Sequence, residues 1–160
     1  MNDNAPIAAS LPPAMRPPHL LLAAEEPPST GGGAAADPMA GLTAVLDADS
    51  LDRLRELDPQ GANGLLPRVL RAFDTSLERL LGQLAEARER GDAVAMRHVA
   101  HTLKSSSASV GALELSRICA DIERRLREQD GGELQPLLDD MVEQSHRVRA
   151  VLRPVLHDPR

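Results

Sequence analysis

The 160-residue sequence contains no tryptophan, no tyrosine and a single phenylalanine. A core without aromatic rings must be built from aliphatic side chains, and the abundant leucine, alanine, arginine and glutamate favour helices over strands. Cys119 is the only cysteine, so the chain cannot form an internal disulfide, which fits a reducing compartment. This composition predicts an all-α protein.

Long hydrophobic runs are absent as well. The apolar run at residues 20–24 is short and bordered by prolines, whereas a membrane span needs roughly 18 apolar residues. The first residues include an acidic one, Asp3, instead of the basic region of a secretion signal. Its net charge of −6 argues against nucleic acid as a partner. We therefore expect a cytoplasmic protein that binds neither membrane nor nucleic acid.

The first forty residues differ in composition from the rest of the chain. They hold eight of the thirteen prolines and the glycine triplet at residues 31–33. Such a segment buries too little apolar surface to offset its chain entropy. We predict a disordered tail over residues 1–40, acting either as an inert linker or as a tether or docking peptide, and a folded domain over residues 41–160.

Leucine-rich segments with three-and-four spacing follow the tail. This spacing is typical of amphipathic helices, and glycines at 61, 91, 111 and 131–132 separate them. We predict a short helix over 49–57, capped by Asp47 or Asp49, and long helices over 63–90, 92–110, 113–129 and 134–156. Four long helices with short loops predict an antiparallel four-helix bundle with a short extra N-terminal helix.

The helix predicted over 92–110 presents a histidine, a lysine and small hydroxyl residues on one face. At about 100° per residue, His101 lies opposite an apolar stripe and should point into water. That stripe comprises Met96, Val99, Leu103, Ser106 and Val110. The neighbours within about 60° of His101 are Arg97, His98, Lys104, Ser105 and Ala108. An exposed nucleophile beside a cation, without bulky side chains around it, suits a covalent group carrier.

The segment from His101 to Ala112 resembles the histidine-containing phosphotransfer (HPt) domain. That family carries His-x-Leu-Lys-Gly-Ser-Ser on a helix, followed shortly by Gly-Ala. The matching positions here are His101, Leu103, Lys104, Ser106, Ser107, Gly111 and Ala112. Ser105 departs from the pattern, since the family most often has glycine there. The resemblance covers roughly residues 45 to 156.

The resemblance implies a function as well as a fold. His101 would take a phosphoryl group from an aspartate of one receiver domain and yield it to another, while Lys104 would neutralise phosphoryl charge. The assisting magnesium belongs to the receiver, so we expect no metal or cofactor of this chain's own. A Gly-rich phosphate loop is absent, which predicts a carrier and not a kinase. We expect a monomer that binds response regulators or a hybrid sensor kinase through Arg97, His98, Ser105 and Ala108.

Four residues near this motif receive structural interpretations. Ser106 and Ser107 fall towards the core side and should each bond a carbonyl one turn back. Gly111 should adopt a left-handed conformation that ends the helix. Cys119 should fill the core.

Three other interpretations remain open. A helical adaptor or scaffold that is never phosphorylated is the main alternative, and it predicts that replacement of His101 is tolerated. His98 and His101 could contribute two metal ligands on one helical face, although no second pair completes a site. Glu143 and His146 form half of a di-iron bundle motif, which needs two copies and two further glutamates.

Overall fold

Six helices account for most of residues 38–129 and 132–157, the part of the chain that the computed structural model describes. In chain order they are α1 (Pro38–Leu42), α2 (Ala48–Glu56), α3 (Leu65–Arg90), α4 (Ala93–Val110), α5 (Leu113–Glu128) and α6 (Leu134–His157). The described residues contain no strand, which confirms the all-α prediction.

The four long helices form an antiparallel bundle, as predicted. Helix α3 packs against α4 and α6, and α5 packs against the other side of α4 and α6. Each helix contributes one apolar stripe to a shared core of aliphatic side chains. The innermost residues of that core include Leu70, Leu77, Leu84, Leu103, Leu115, Ile122, Leu138 and Met141.

Each predicted boundary of the long helices falls within two residues of the observed one, and capping residues account for some of the helix ends. The Asp47 and Asp92 carboxylates accept backbone N–H bonds at the starts of α2 and α4, both at 2.9 Å. Gly91, with φ of 63°, ends α3 in the left-handed region. Pro154 lies inside α6, which continues to His157.

Helix α1 was not predicted, and it spans the boundary that we placed at residue 41. A five-residue helix is too short to show a clear period in the sequence. Leu42 and Leu46, in and just after α1, are nevertheless buried in the core. The remainder of the predicted tail, residues 1–37, lies outside the described residues, so its disorder stays a prediction.

The buried face of α4 is broader than the stripe opposite His101. Ala100 and Ser107 are fully buried, whereas Ser106 is only half-buried. The cause is that α4 packs against both α3 and α5, which covers more of its circumference. Ser106 Oγ donates to the Leu103 carbonyl at 3.3 Å, as expected. The same expectation was wrong for Ser107, whose buried hydroxyl has no partner within the described part of the chain.

The turn between α4 and α5 is built on Gly111. Its φ is 84°, and the Ala112 N–H bonds the Ser107 carbonyl at 2.8 Å in a Schellman arrangement. The start of α2 packs directly onto this turn, because the Asp47 N–H donates to the Gly111 carbonyl at 2.8 Å. A Cβ at Gly111 would lie 2.7 Å from Ser50 Cβ. Glycine is therefore required here both for conformation and for space.

Two further expectations concern burial and membranes. Cys119 is fully buried in the core, as predicted, and burial raises the pKa of its thiol to about 12. Among the helices of residues 38–129 and 132–157, none is both long and apolar enough to cross a membrane.

Substitution of Gly111 tests the contact between α2 and the α4–α5 turn. Gly111→Ala should lower the free energy of unfolding by about 2–4 kcal/mol, because a left-handed alanine and a close Cβ contact both destabilise the fold. Gly91→Ala is the matched control: its φ is 63° but its Cβ would meet nothing within 4 Å. That variant should lose only about 1 kcal/mol in urea titrations. Equal losses of unfolding free energy in both variants would mean that the close approach of Gly111 to Ser50 does not exclude a side chain at position 111.

Candidate functional site

His101 lies in the middle of α4 with 60% of its side chain exposed, as the helical pattern predicted. Its Nδ1 is 2.9 Å from Oε1 of Glu123, a residue of the neighbouring helix α5. The Glu123 side chain is only 15% exposed. The imidazole is thus accessible to a partner, while its hydrogen bond to Glu123 fixes the orientation of the ring.

Lys104 approaches the same carboxylate from one turn further along α4. Its Nζ donates to Glu123 Oε2 at 2.5 Å. The Lys104 backbone is also fixed, because Ser116 Oγ on α5 donates to its carbonyl at 2.9 Å. Lys104 is the only lysine of the sequence, against seventeen arginines. Glu123 therefore joins the two residues that the motif singled out.

The surroundings of Glu123 keep its carboxyl group ionised. The hydrogen bond from Lys104 lowers its pKa most, burial opposes this, and the His101 hydrogen bond lowers it further. An ionised carboxylate only accepts hydrogen bonds, so His101 Nδ1 must carry the proton in this contact. In the neutral ring that leaves a lone pair on Nε2, the nitrogen not bonded to Glu123.

The other residues predicted to dock a partner are all exposed, but they lie on two sides of His101. Arg97 and His98 line a groove towards the start of α4, together with Val94, Glu123 and Arg127. Ser105 and Ala108 lie towards the other end of the helix. Ser105 Oγ donates back to the His101 carbonyl at 3.3 Å, so its hydroxyl is directed along its own helix.

Glu123 and Arg127 were missed because no motif in the sequence marks them. The signal that could have found them is the short α4–α5 turn. His101 lies ten residues before Gly111 and Glu123 lies eleven after Ala112, so an antiparallel hairpin places them side by side. This reasoning needs the α4–α5 turn to be tight, whereas the helical periodicity of a sequence places each helix separately and does not pair them.

The alternative metal interpretations find no further ligands in the structure. The described residues contain no group of three or more histidine, cysteine, aspartate or glutamate side chains that could hold an ion. Glu123, beside His101, already bonds Lys104. Glu143, from the partial di-iron motif, pairs with Arg147 on the surface of α6.

Comparisons with known proteins identify the family and the fold. The model of the Hpt domain family matches residues 68–149, just over half of the chain. The crystal structure of histidine-containing phosphotransfer protein B (HptB) from Pseudomonas aeruginosa PAO1 superposes with a TM-score of 0.64 at 28% identity. The match covers 72% of this chain and 97% of that one. A search of curated proteins found no match.

The lowered pKa of Glu123 gives a prediction for the pH dependence of stability. The ionised Glu123 carboxylate stabilises the folded state. This stabilisation is fully present above about pH 4.5, the pKa of the group in the unfolded chain, and is lost as the pH falls through the lower pKa of the folded protein. Between about pH 6 and pH 3, wild type should therefore lose more stability than Glu123→Gln, which has no carboxyl group to titrate. Thermal melts of both proteins across this range measure the difference. Parallel losses would contradict a stabilising role for the ionised Glu123.

Proposed function

Since the chain belongs to the Hpt domain family, which relays phosphoryl groups through histidine in two-component signalling, we propose that His101 is its phosphorylated residue. One observation carries this assignment. His101 is exposed at the matched motif position, while the half-buried Glu123 carboxylate holds its Nδ1 at 2.9 Å and leaves Nε2 unbonded by that residue. The chain is a phosphoryl carrier in this proposal.

The transfer step follows from the orientation of the ring. Nε2 attacks the phosphorus of an aspartyl phosphate on a receiver domain, so the N–P bond forms while the bond from phosphorus to the aspartate oxygen breaks. The aspartate leaves as a carboxylate, and the proton stays on Nδ1. The ring becomes positively charged, and the Glu123 carboxylate stabilises that charge through the existing hydrogen bond. Transfer to a second receiver reverses these steps.

Lys104 supplies positive charge beside the reacting group. An ammonium has three donors, so Lys104 can retain its bond to Glu123 and still donate to a phosphoryl oxygen. Phosphoryl transfer depends mainly on positioning and electrostatic stabilisation. In this proposal Glu123 positions both groups, Lys104 neutralises the transferred charge, and the receiver contributes the magnesium ion.

The surface around His101 supports direct approach by a receiver domain. Ser105 and Ala108, one and two turns along α4, are small and exposed. The Ser105 hydroxyl bonds the His101 carbonyl and so turns away from an incoming phosphoryl group. Serine can therefore replace the glycine that is commoner in the family. We propose that response-regulator receivers, or that of a hybrid sensor kinase, dock here on a monomeric, cytoplasmic chain.

A non-phosphorylated adaptor bundle remains the competing proposal. It assigns no purpose to the exposed histidine with its half-buried carboxylate. A solvated helix face would more usually carry Glu, Lys or Arg than the exposed Ser105, Ala108 and Ser109. The two proposals differ in whether His101 acquires a covalent label.

Replacement of the nucleophile tests this difference. His101→Gln should retain the fold, because an exposed change shifts stability by under about 0.5 kcal/mol, but it should accept no label from a radiolabelled phospho-receiver. His146→Gln, at an exposed position on α6, is the matched control and should accept label as wild type does. The label should be lost in acid and kept in base. Label that persists in His101→Gln would move the site to another residue.

Removal of the lysine charge tests the second role. Lys104→Ala should slow transfer by about tenfold to a hundredfold at saturating receiver, because it removes stabilisation of the transferred group but not the nucleophile. Lys104→Arg should be partly active, since the charge remains in a different geometry. Rapid-quench measurements on pre-formed complexes give these rates. A wild-type rate for Lys104→Ala would mean that the residue serves only to hold Glu123.

Bulky substitutions test the docking face. Ser105→Arg and Ala108→Arg should stay folded, since arginine is a good helix former at exposed positions. Both should block transfer from a receiver while leaving labelling by a small phosphodonor such as phosphoramidate intact. Ser105→Gly should be as fast as wild type or slightly faster. If the arginine variants exchange phosphoryl groups with the receiver at the wild-type rate, partners approach from another side.

A further inference from the structure

A groove of about 400 Å³ adjoins His101 on the side away from Lys104. Its walls are Val94, Arg97 and His98 from α4 and Glu123 and Arg127 from α5. Val94 is 70% exposed, which is unusual for a large apolar residue in this chain. The groove therefore combines an apolar contact with cationic side chains next to the proposed phosphorylation site.

The antiparallel pairing of α4 and α5 places Arg97 and Arg127 across from each other. The contact between His101 and Glu123 fixes the register at that level. Arg97 is four residues before His101 and Arg127 is four residues after Glu123, so each lies one turn further in the same direction. Two guanidinium groups thus flank the groove from opposite helices.

Neither arginine takes part in an ion pair within residues 38–129 and 132–157. Other arginines of α5 do: Arg117 bonds Glu114 at 2.7 Å, and Arg124 bonds Asp121 at 3.4 Å. Glu123 has the spacing to pair with Arg127, but each of its oxygens already bonds a residue of α4. The positive charge of the groove is therefore left for an external anion.

We propose that Arg97 and Arg127 form a docking pair for carboxylates on the receiver surface that surrounds its phosphorylated aspartate. The proposal rests on the proposed function, and it assigns Arg127 a role that the sequence motif does not indicate. Arginine is enriched at interfaces and binds carboxylates in two-point contacts. Val94 adds an apolar contact beside the pair. Because the pair lies a full turn from His101, it acts on association with the receiver and leaves the transfer step to Lys104.

The test compares two double variants of the full chain. Arg97→Gln/Arg127→Gln removes the pair. Arg68→Gln/Arg153→Gln removes the same charge from exposed positions on α3 and α6 and is the matched control. Arg97→Lys/Arg127→Lys keeps the charge but not the two-point geometry. Melting curves establish that all three are folded. The probe is a receiver domain, selected from a panel because it phosphorylates the wild-type chain.

The transfer rate is measured against receiver concentration at low and high salt. Loss of the pair should raise the half-saturating receiver concentration about tenfold at low ionic strength, with less effect at high salt because the charges are screened. The rate at saturation should stay within about twofold of wild type. The control variant should have the same half-saturating concentration as wild type. The value for Arg97→Lys/Arg127→Lys should lie between those of wild type and Arg97→Gln/Arg127→Gln.

Three outcomes would overturn the proposal, and they are distinguishable. If wild type is labelled but Arg97→Gln/Arg127→Gln and the control variant have the same half-saturating concentration, the proposed docking pair is wrong while the proposed function stands. If no receiver in the panel and no phosphoramidate labels wild type at His101, the proposed function fails and the docking pair fails with it. A lower saturated rate with an unchanged half-saturating concentration would assign the arginines to the transfer step and would also contradict the proposal.

Discussion

The arrangement of the site depends on one carboxylate, that of Glu123. It bonds His101 Nδ1 at 2.9 Å and Lys104 Nζ at 2.5 Å, and so ties two residues of α4 to the neighbouring helix. Because its oxygens are both engaged, it fixes the ring orientation, positions the ammonium, and leaves Arg127 without an ionic partner among the described residues. A single half-buried acid therefore determines which nitrogen of His101 is bonded within the protein and where the Lys104 ammonium is held.

That contact requires α4 and α5 to pair in one register, and Gly111 sets the register. A left-handed glycine closes the turn in the fewest residues, and the start of α2 packs on it so closely that no Cβ fits. Helix α2 thus braces the end of the helix that carries His101, although it precedes the residues matched by the family model. Fold and site are linked through this turn.

The sequence predicted the bundle well because its information is local. Apolar residues at three-and-four spacing, aspartate caps and glycine stops place four long helices and turn His101 outwards. It did not predict α1, whose five residues give no clear period, or the burial of Ala100, which depends on packing against two helices. Glu123 was missed for the same reason. Its role arises from a contact between helices, and only the pairing of α4 with α5 brings it to His101.

The most direct test of this account is to identify which ring nitrogen of His101 is phosphorylated. Nuclear magnetic resonance of the phosphorylated full chain, with nitrogen-15 in its histidines, separates the two isomers by coupling of phosphorus to the ring nitrogens. We expect phosphorus on Nε2 and a proton on Nδ1, because Glu123 accepts from Nδ1. Phosphorus on Nδ1 would contradict the account, since the bond to Glu123 would then have to break before the ring could react.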